Sequence, residues 1–207
     1  MLSEQAIEPN TLKLLKNLMS VPQLSQLRLV GGTALALQLG HRLSVDLDLF
    51  GHIDCDDHEL HKLLRSKGQL KILSQSPKVK LFLIDGIKVD IVEYEYPWIT
   101  DALNVDNMRL ARPEDIAAMK INAIVGRGTR KDFVDLFYLL EHFSLEQIMT
   151  FFAQKYPEYD IFTVIRSLSY FDDAESSPMP NMIRKETWHT MKSHIIECVN
   201  QYFNRLV

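Results

Sequence analysis

The sequence predicts an α+β fold, with a mixed β-sheet core and flanking helices followed by a C-terminal helical bundle. Three observations carry this. Segments with period-two alternation cluster between residues 20 and 97. After Pro97, apolar residues recur at helical spacing. The composition is that of an ordinary globular chain, 46% hydrophobic and 24% charged over 207 residues. The change of pattern divides the chain into residues 1–97 and 98–207.

The elements follow in order. Residues 4–19 set Leu12, Leu15, Leu18 and Met19 on one helical face, ahead of a break at Ser20-Val21-Pro22. Leu27–Val30 reads as a short buried strand that stops at Gly31-Gly32, and Thr33 heads a helix ended by Gly40. Val45–Phe50 alternates, with Val45, Leu47 and Leu49 on one side and Asp46 and Asp48 on the other. Asp56–Lys67 is predicted helical on the stripe Leu60, Leu63 and Leu64. Strands are predicted over Leu70–Ser74, Val79–Ile84 and Ile87–Glu93, the last two joined by the hairpin dipeptide Asp85-Gly86. Beyond Pro97 the pattern is helical throughout. Pro113 opens a helix to about Val125, Gly126–Thr129 interrupts, and Lys131–His142 resumes with Phe133, Leu136, Phe137 and Leu140. Further helices are predicted over 144–156, 160–171 and 184–204, with Asp172–Asn181 as a surface loop.

The formal charge of -4 argues against broad, sequence-independent binding of nucleic acid. An RNA partner would need basic side chains gathered around one cleft. Arg42, Lys78, Lys80, Lys88, Arg127, Arg130 and Lys131 are the residues available for phosphate contacts. Cys55 and Cys198 form no CxxC pair, which argues against a zinc or disulfide framework and suits a reducing cytoplasm. The N-terminal stretch has no secretory apolar region, and no apolar run reaches membrane-spanning length. The expected compartment is the cytoplasm.

One constellation points to chemistry. In Asp46-Leu47-Asp48 on a strand, both carboxylates project from one face. They repel each other there, and a hard divalent cation such as Mg²⁺ relieves that repulsion. The strand before them ends in Gly31-Gly32, where backbone N–H groups can approach a phosphate and the next helix aims its positive end. A later strand, Lys88–Val92, carries Asp90 between apolar neighbours. If that strand lies beside the first, three carboxylates meet a phosphate-cradling turn, the requirement of two-metal phosphoryl chemistry. Each residue also has a plainer reading. Gly31-Gly32 could be only a turn, and Asp90 only a polar residue on the open side of a sheet. Lys120 could be a solvated helix residue. Asp132 and Asp135, one turn apart, could be surface charges paired with Arg127, Arg130 or Lys131. His58-Glu59-Leu60-His61 lacks zinc-helix spacing, and Gly126–Thr129 lacks Walker spacing.

Gly-Gly, a spacer, Asp-x-Asp and a separate hydrophobic-Asp-hydrophobic strand resemble the layout of the polymerase-beta-like nucleotidyltransferases. The string GGTALALQLGHRLSVDLDLF is similar, more specifically, to the AbiEii/AbiGii toxin family. That family is the toxin half of certain bacterial toxin–antitoxin and phage-abortive systems. A second block agrees: Pro113–Lys120, then Arg127, then Lys131-Asp132-Phe133-Val134-Asp135-Leu136. The resemblance spans roughly residues 27–140.

The resemblance implies a nucleotidyltransferase-like core with a helical domain contributing to the active-site cleft. Asp46 and Asp48 match the metal-binding pair, with Asp90 as the expected third carboxylate. Gly32 and Thr33, with Gly31 before them, match the turn that holds the triphosphate, and Arg42 and Ser44 lie beside it. Lys120 matches a nucleotide-phosphate contact, and Asp135 a carboxylate near the active site. Two Mg²⁺ ions, or Mn²⁺, an NTP substrate, the 3′ end of tRNA as acceptor and a cognate antitoxin are implied partners. Two rival readings remain: a small-molecule, antibiotic-type nucleotidyltransferase, and a non-catalytic module that binds nucleotide or a partner protein.

Overall fold

The computed structural model of the protein describes residues 2–206. The chain forms two compact units. The first comprises the residues up to Glu95 together with Asp101–Ala111; the second comprises Tyr96–Thr100 and the residues from Arg112 onward.

The first unit is built on a seven-stranded mixed sheet of order β3-β4-β5-β2-β1-β7-β6. Its strands are β1 (Arg28–Leu29), β2 (Leu47–Gly51), β3 (Leu70–Gln75), β4 (Val79–Ile84), β5 (Ile87–Glu93), β6 (Leu103–Val105) and β7 (Met108–Leu110). The β2–β5 and β1–β7 pairs are parallel and the others antiparallel. Helices α1 (Pro9–Met19), α2 (Gly31–Leu39) and α3 (Asp57–Arg65) complete the unit. Alternation sends Leu47, Leu49, Phe82, Val89 and Ile91 into the core, each essentially inaccessible. Burial of each such side chain contributes about 1.5–3 kcal/mol. The same alternation leaves Asp48 and Asp90 on the other face.

Most local signals lead where expected. Gly40 closes α2 in the left-handed conformation (φ 63°). Asp85 and Gly86 both take positive φ and form the tight turn between β4 and β5. Asp56 caps α3, its side chain accepting from the Glu59 N–H. Two expectations fail in this unit. The stretch after Pro97 is not helical throughout, because β6 and β7 form a hairpin whose turn residues, Asp106 and Asn107, have φ of 49° and 62°. The carboxamide and carboxylate side chains tolerate this geometry without glycine. Val45 does not face the core and is 52% exposed. β2 begins only at Leu47, and Ser44 instead bridges to Ile7 outside the sheet.

The second unit is helical: α4 (Pro113–Gly126), α5 (Arg130–Leu140), α6 (Leu145–Lys155), α7 (Ile161–Leu168), α8 (Asp172–Glu175) and α9 (Trp188–Leu206). The expected loop at Asp172 instead opens with the short α8, and Ala174 is buried. Ser144 and Gln147 form a capping box at α6. A buried ion pair explains why Tyr96–Thr100 belongs to this unit. Asp115 accepts from the Ile99 and Thr100 N–H groups (3.0 and 3.1 Å) and from the Thr100 hydroxyl (2.9 Å). Lys155 Nζ donates to Asp115 (2.7 Å) and to the Pro97 carbonyl (2.6 Å), and lies 4.7 Å from the Trp98 ring centroid.

Candidate active site

Asp48 on β2 and Asp90 on β5 are register partners in the parallel pair. The strand order that makes β2 and β5 neighbours therefore brings these two carboxylates side by side. Asp46 precedes β2 by one residue. Its backbone carbonyl accepts a short hydrogen bond from the Thr33 hydroxyl, which also lies 2.8 Å from Ser44 Oγ. Thr33 and Ser44 thus tie the segment carrying Asp46 to the first turn of α2.

That turn starts at Gly31, two residues earlier than the sequence suggests. Gly31 has φ +66°, and a Cβ there would lie 2.5 Å from Asp48 Oδ2. Only a residue without a side chain allows the Asp48 carboxylate this close to the helix end. The N-terminal N–H groups of a helix lack intrahelical acceptors and carry the positive end of its dipole. Arg42 is 4% exposed, and its guanidinium fills the space that a Gly32 side chain would take while donating to the Leu43 carbonyl (3.0 Å). Arg42 supports the turn from within.

Asp90 has one satisfied oxygen and one that is not. Lys88 Nζ lies 2.6 Å from Oδ2. Oδ1 is buried and has no hydrogen-bond partner among the described residues. Burial works to lower the Lys88 pKa. The hydrogen bond to Asp90 and the charges of Asp90, Asp46 and Asp48 outweigh that, and they hold it above the ordinary lysine value. All three carboxylates therefore act on one ammonium.

In the second unit, Lys120 is not a solvated helix residue. Its side chain is 6% exposed and sits 3.0 Å from Asp132 and 2.6 Å from Asp135, both fully buried. Asp132 also accepts from Arg127 (3.2 Å) and from the Thr129 hydroxyl (2.5 Å). Burial would raise the Asp132 pKa, but the Lys120 charge, these hydrogen bonds and the Arg127 charge bring it down to about 2. The Arg127 pairing expected of Asp132 is present, with the carboxylate fully buried and the Arg127 side chain 59% exposed. Among the basic residues considered for RNA, Lys80 is buried and paired with Asp57 (3.3 Å), so it serves the fold. Lys131 is exposed.

Residues 13–205 match the family described as the nucleotidyl transferase AbiEii toxin of type IV toxin–antitoxin systems. The chain belongs to the AbiEii toxin family. It is thus a nucleotidyltransferase, and family membership implies a nucleotide substrate and an antitoxin partner. An uncharacterized protein of Aquifex aeolicus (strain VF5) is 32% identical over 185 residues, covering 86% of this chain and 85% of that one. A crystal structure of a candidate nucleotidyltransferase from H. pylori shares the fold, with a TM-score of 0.58 at 22% identity over 99% of both chains. No helix among the described residues is long and apolar enough to cross a membrane.

AbiEii-family chemistry implies a divalent metal, and the donor set of the first unit fits one. Asp90 Oδ1 is a buried acceptor with no donor, and an ammonium already occupies the other oxygen of the same carboxylate. Among the described residues no three His, Cys, Asp or Glu side chains are gathered to hold a metal ion by themselves. Mg²⁺ in such sites is held by one or two carboxylates plus water and substrate phosphate, so a closed protein cage is not required. Two features of this AbiEii chain escaped the sequence reading. The sequence offers Lys88 as a phosphate contact, although Lys88-Val89-Asp90 on a strand also puts the lysine on the carboxylate's face. The Asp115–Lys155 pair had no local signal, since its members are 40 residues apart.

Proposed function

We propose that this AbiEii-family chain moves a nucleoside monophosphate from an NTP to the 3′ end of tRNA, in the bacterial cytoplasm. Asp46, Asp48 and Asp90 would hold Mg²⁺, two ions in the full assembly, with Mn²⁺ able to substitute. The observation that carries this reading is the side-by-side placement of Asp48 and Asp90 in the sheet, with Asp48 packed against the Gly31 turn. When bound, the divalent ions would neutralise triphosphate charge and ease deprotonation of the acceptor hydroxyl.

The chain's own residues do the rest. The N–H groups of Gly31, Gly32 and Thr33 donate to the β- and γ-phosphate oxygens. Arg42 and Ser44 hold the turn and the Asp46 segment in place. Asp90 takes the proton of the acceptor hydroxyl. The hydroxyl oxygen bonds to the α-phosphorus as the α–β bridging bond breaks, and pyrophosphate leaves with that electron pair. Lys120, held by Asp132 at 3.0 Å and Asp135 at 2.6 Å, ties α4 to α5 within the second unit.

The test is incubation with each α-labelled NTP and total cellular RNA, followed by a gel. Label is expected in the tRNA-sized band, with acceptor binding that weakens steeply with salt. Asp46→Ala is expected to remove the label without changing the fold. Incorporation by that variant at the wild-type rate overturns the assignment. Label appearing only in small molecules would favour the antibiotic-type reading.

A further inference from the structure

The carboxylate group of the first unit is not bare. Lys88 and Asp90 are two residues apart on β5 and therefore share a face. The ammonium occupies Asp90 Oδ2 at 2.6 Å, while Oδ1 is buried without a donor. The Lys88 side chain is 39% exposed, so its four-carbon stem has room to swing away from Asp90. The charges of Asp46 and Asp48 bear on the same ammonium. Lys88 is thus an internal counter-ion to the residues that would hold the metal.

A positive group in that place has two effects. It relieves the mutual repulsion of the carboxylates when no metal is bound. It also opposes a divalent ion, because that ion must either displace the ammonium from Asp90 or sit beside a like charge. Once displaced, the ammonium needs another anion. The triphosphate brought in with the metal is the anion at hand.

We propose that Lys88 competes with the divalent metal for Asp90 and passes to the triphosphate of the incoming nucleotide, so that metal and nucleotide bind cooperatively. This rests on the reading of Asp46, Asp48 and Asp90 as the metal-holding residues. A metal ion alone binds weakly to the protein. A nucleotide removes the competitor and raises metal affinity, and by linkage the metal raises nucleotide affinity by the same factor. The site would thereby load metal preferentially when nucleotide is present.

The experiment titrates Mn²⁺ into the intact protein and reads free Mn²⁺ by electron paramagnetic resonance, with and without an α,β-methylene triphosphate analogue. Wild type, Lys88→Met, Lys88→Arg and Asp90→Asn are compared, with circular dichroism as the folding control. In wild type the analogue is expected to tighten Mn²⁺ binding about tenfold or more, within the usual range of coupling. Lys88→Met is expected to bind Mn²⁺ alone about tenfold more tightly than wild type, and its coupling to the analogue should be smaller than the wild-type coupling. Lys88→Arg should retain weak binding of Mn²⁺ alone. Unchanged or weaker Mn²⁺ binding by Lys88→Met, in a protein where Asp90→Asn lowers it, overturns the role of Lys88 and leaves the metal-holding assignment standing. If Asp90→Asn binds Mn²⁺ as wild type does, the assignment itself fails and the inference fails with it.

Discussion

Three aspartates of the helical unit and Asp90 of the sheet unit are used to opposite ends. In the helical unit, Asp115, Asp132 and Asp135 are fully buried and each is met by a cation: Lys155, Arg127 and Lys120, or Lys120 alone. In the sheet unit, Asp90 keeps one buried oxygen with no donor and shares the other with a partly exposed lysine. A buried carboxylate with every lone pair occupied holds backbone in place and is costly to disturb. One with an unfilled site is a standing cost to the fold, and such groups collect where a ligand completes them. Saturation, more than the count of acidic residues, separates the structural cluster from the candidate chemical one.

Substitutions should divide along the same line. The largest effect is expected at Asp46→Ala. Nucleotidyl transfer should fall by at least about 10³-fold, on the order of 4 kcal/mol of lost transition-state stabilisation, while the thermal midpoint stays close to wild type. Single-turnover incorporation and calorimetry read the two sides. Lys155→Met should reverse the pattern. It leaves the Asp115 charge buried and unpaired, so the helical unit should lose about 3–5 kcal/mol, seen as a lower denaturant midpoint. If Lys155→Met unfolds no more readily than wild type, the contrast between the units is wrong.

Acid should also act mainly on the helical unit. Asp132 has its folded pKa depressed to about 2 from an ordinary value of 3.8. Its stabilisation is therefore complete above the unfolded value and is lost as pH falls through about 2. The amount is on the order of 2 kcal/mol. Asp132→Asn should flatten the fall in stability between about pH 4 and 2, measured by urea denaturation. A smaller loss of stability than at Lys155 is expected at Gly31→Ala. The left-handed backbone there costs an alanine about 1–2 kcal/mol. The new Cβ would press on Asp48 Oδ2, 2.5 Å away, so transfer should drop out of proportion to stability.

Where a residue's neighbours lie close in sequence, the chain announces its structure. Asp85-Gly86 specified a tight turn, Gly40 a helix end, and Ile87–Glu93 a strand, each found as expected. The family resemblance rests on Gly31-Gly32, Asp46-Leu47-Asp48 and the blocks Pro113–Lys120 and Lys131–Leu136, and family membership is confirmed over residues 13–205. Three-residue strands such as β6 and β7 are too short to show a period, and their Asp106-Asn107 turn lacks the glycine that usually marks one. Lys155 sits on an amphipathic helix where a lysine ordinarily reaches solvent, and only the tertiary approach of Asp115 and Pro97 turns it inward. Likewise, Lys120 reads as a surface residue until the next helix brings in two aspartates. Register across the sheet was also out of reach. Nothing local says that position 48 meets position 90, because strand order is decided by long-range packing.

The most direct test is the anomalous scattering of Mn²⁺ in crystals grown with a non-hydrolysable NTP. The expected peak lies within inner-sphere distance of carboxylate oxygens from Asp48 and Asp90, with the triphosphate along the Gly31 turn and Lys88 turned away from Asp90. A triphosphate bound elsewhere, or manganese that ignores both strands while Lys88 stays on Asp90, would contradict the account.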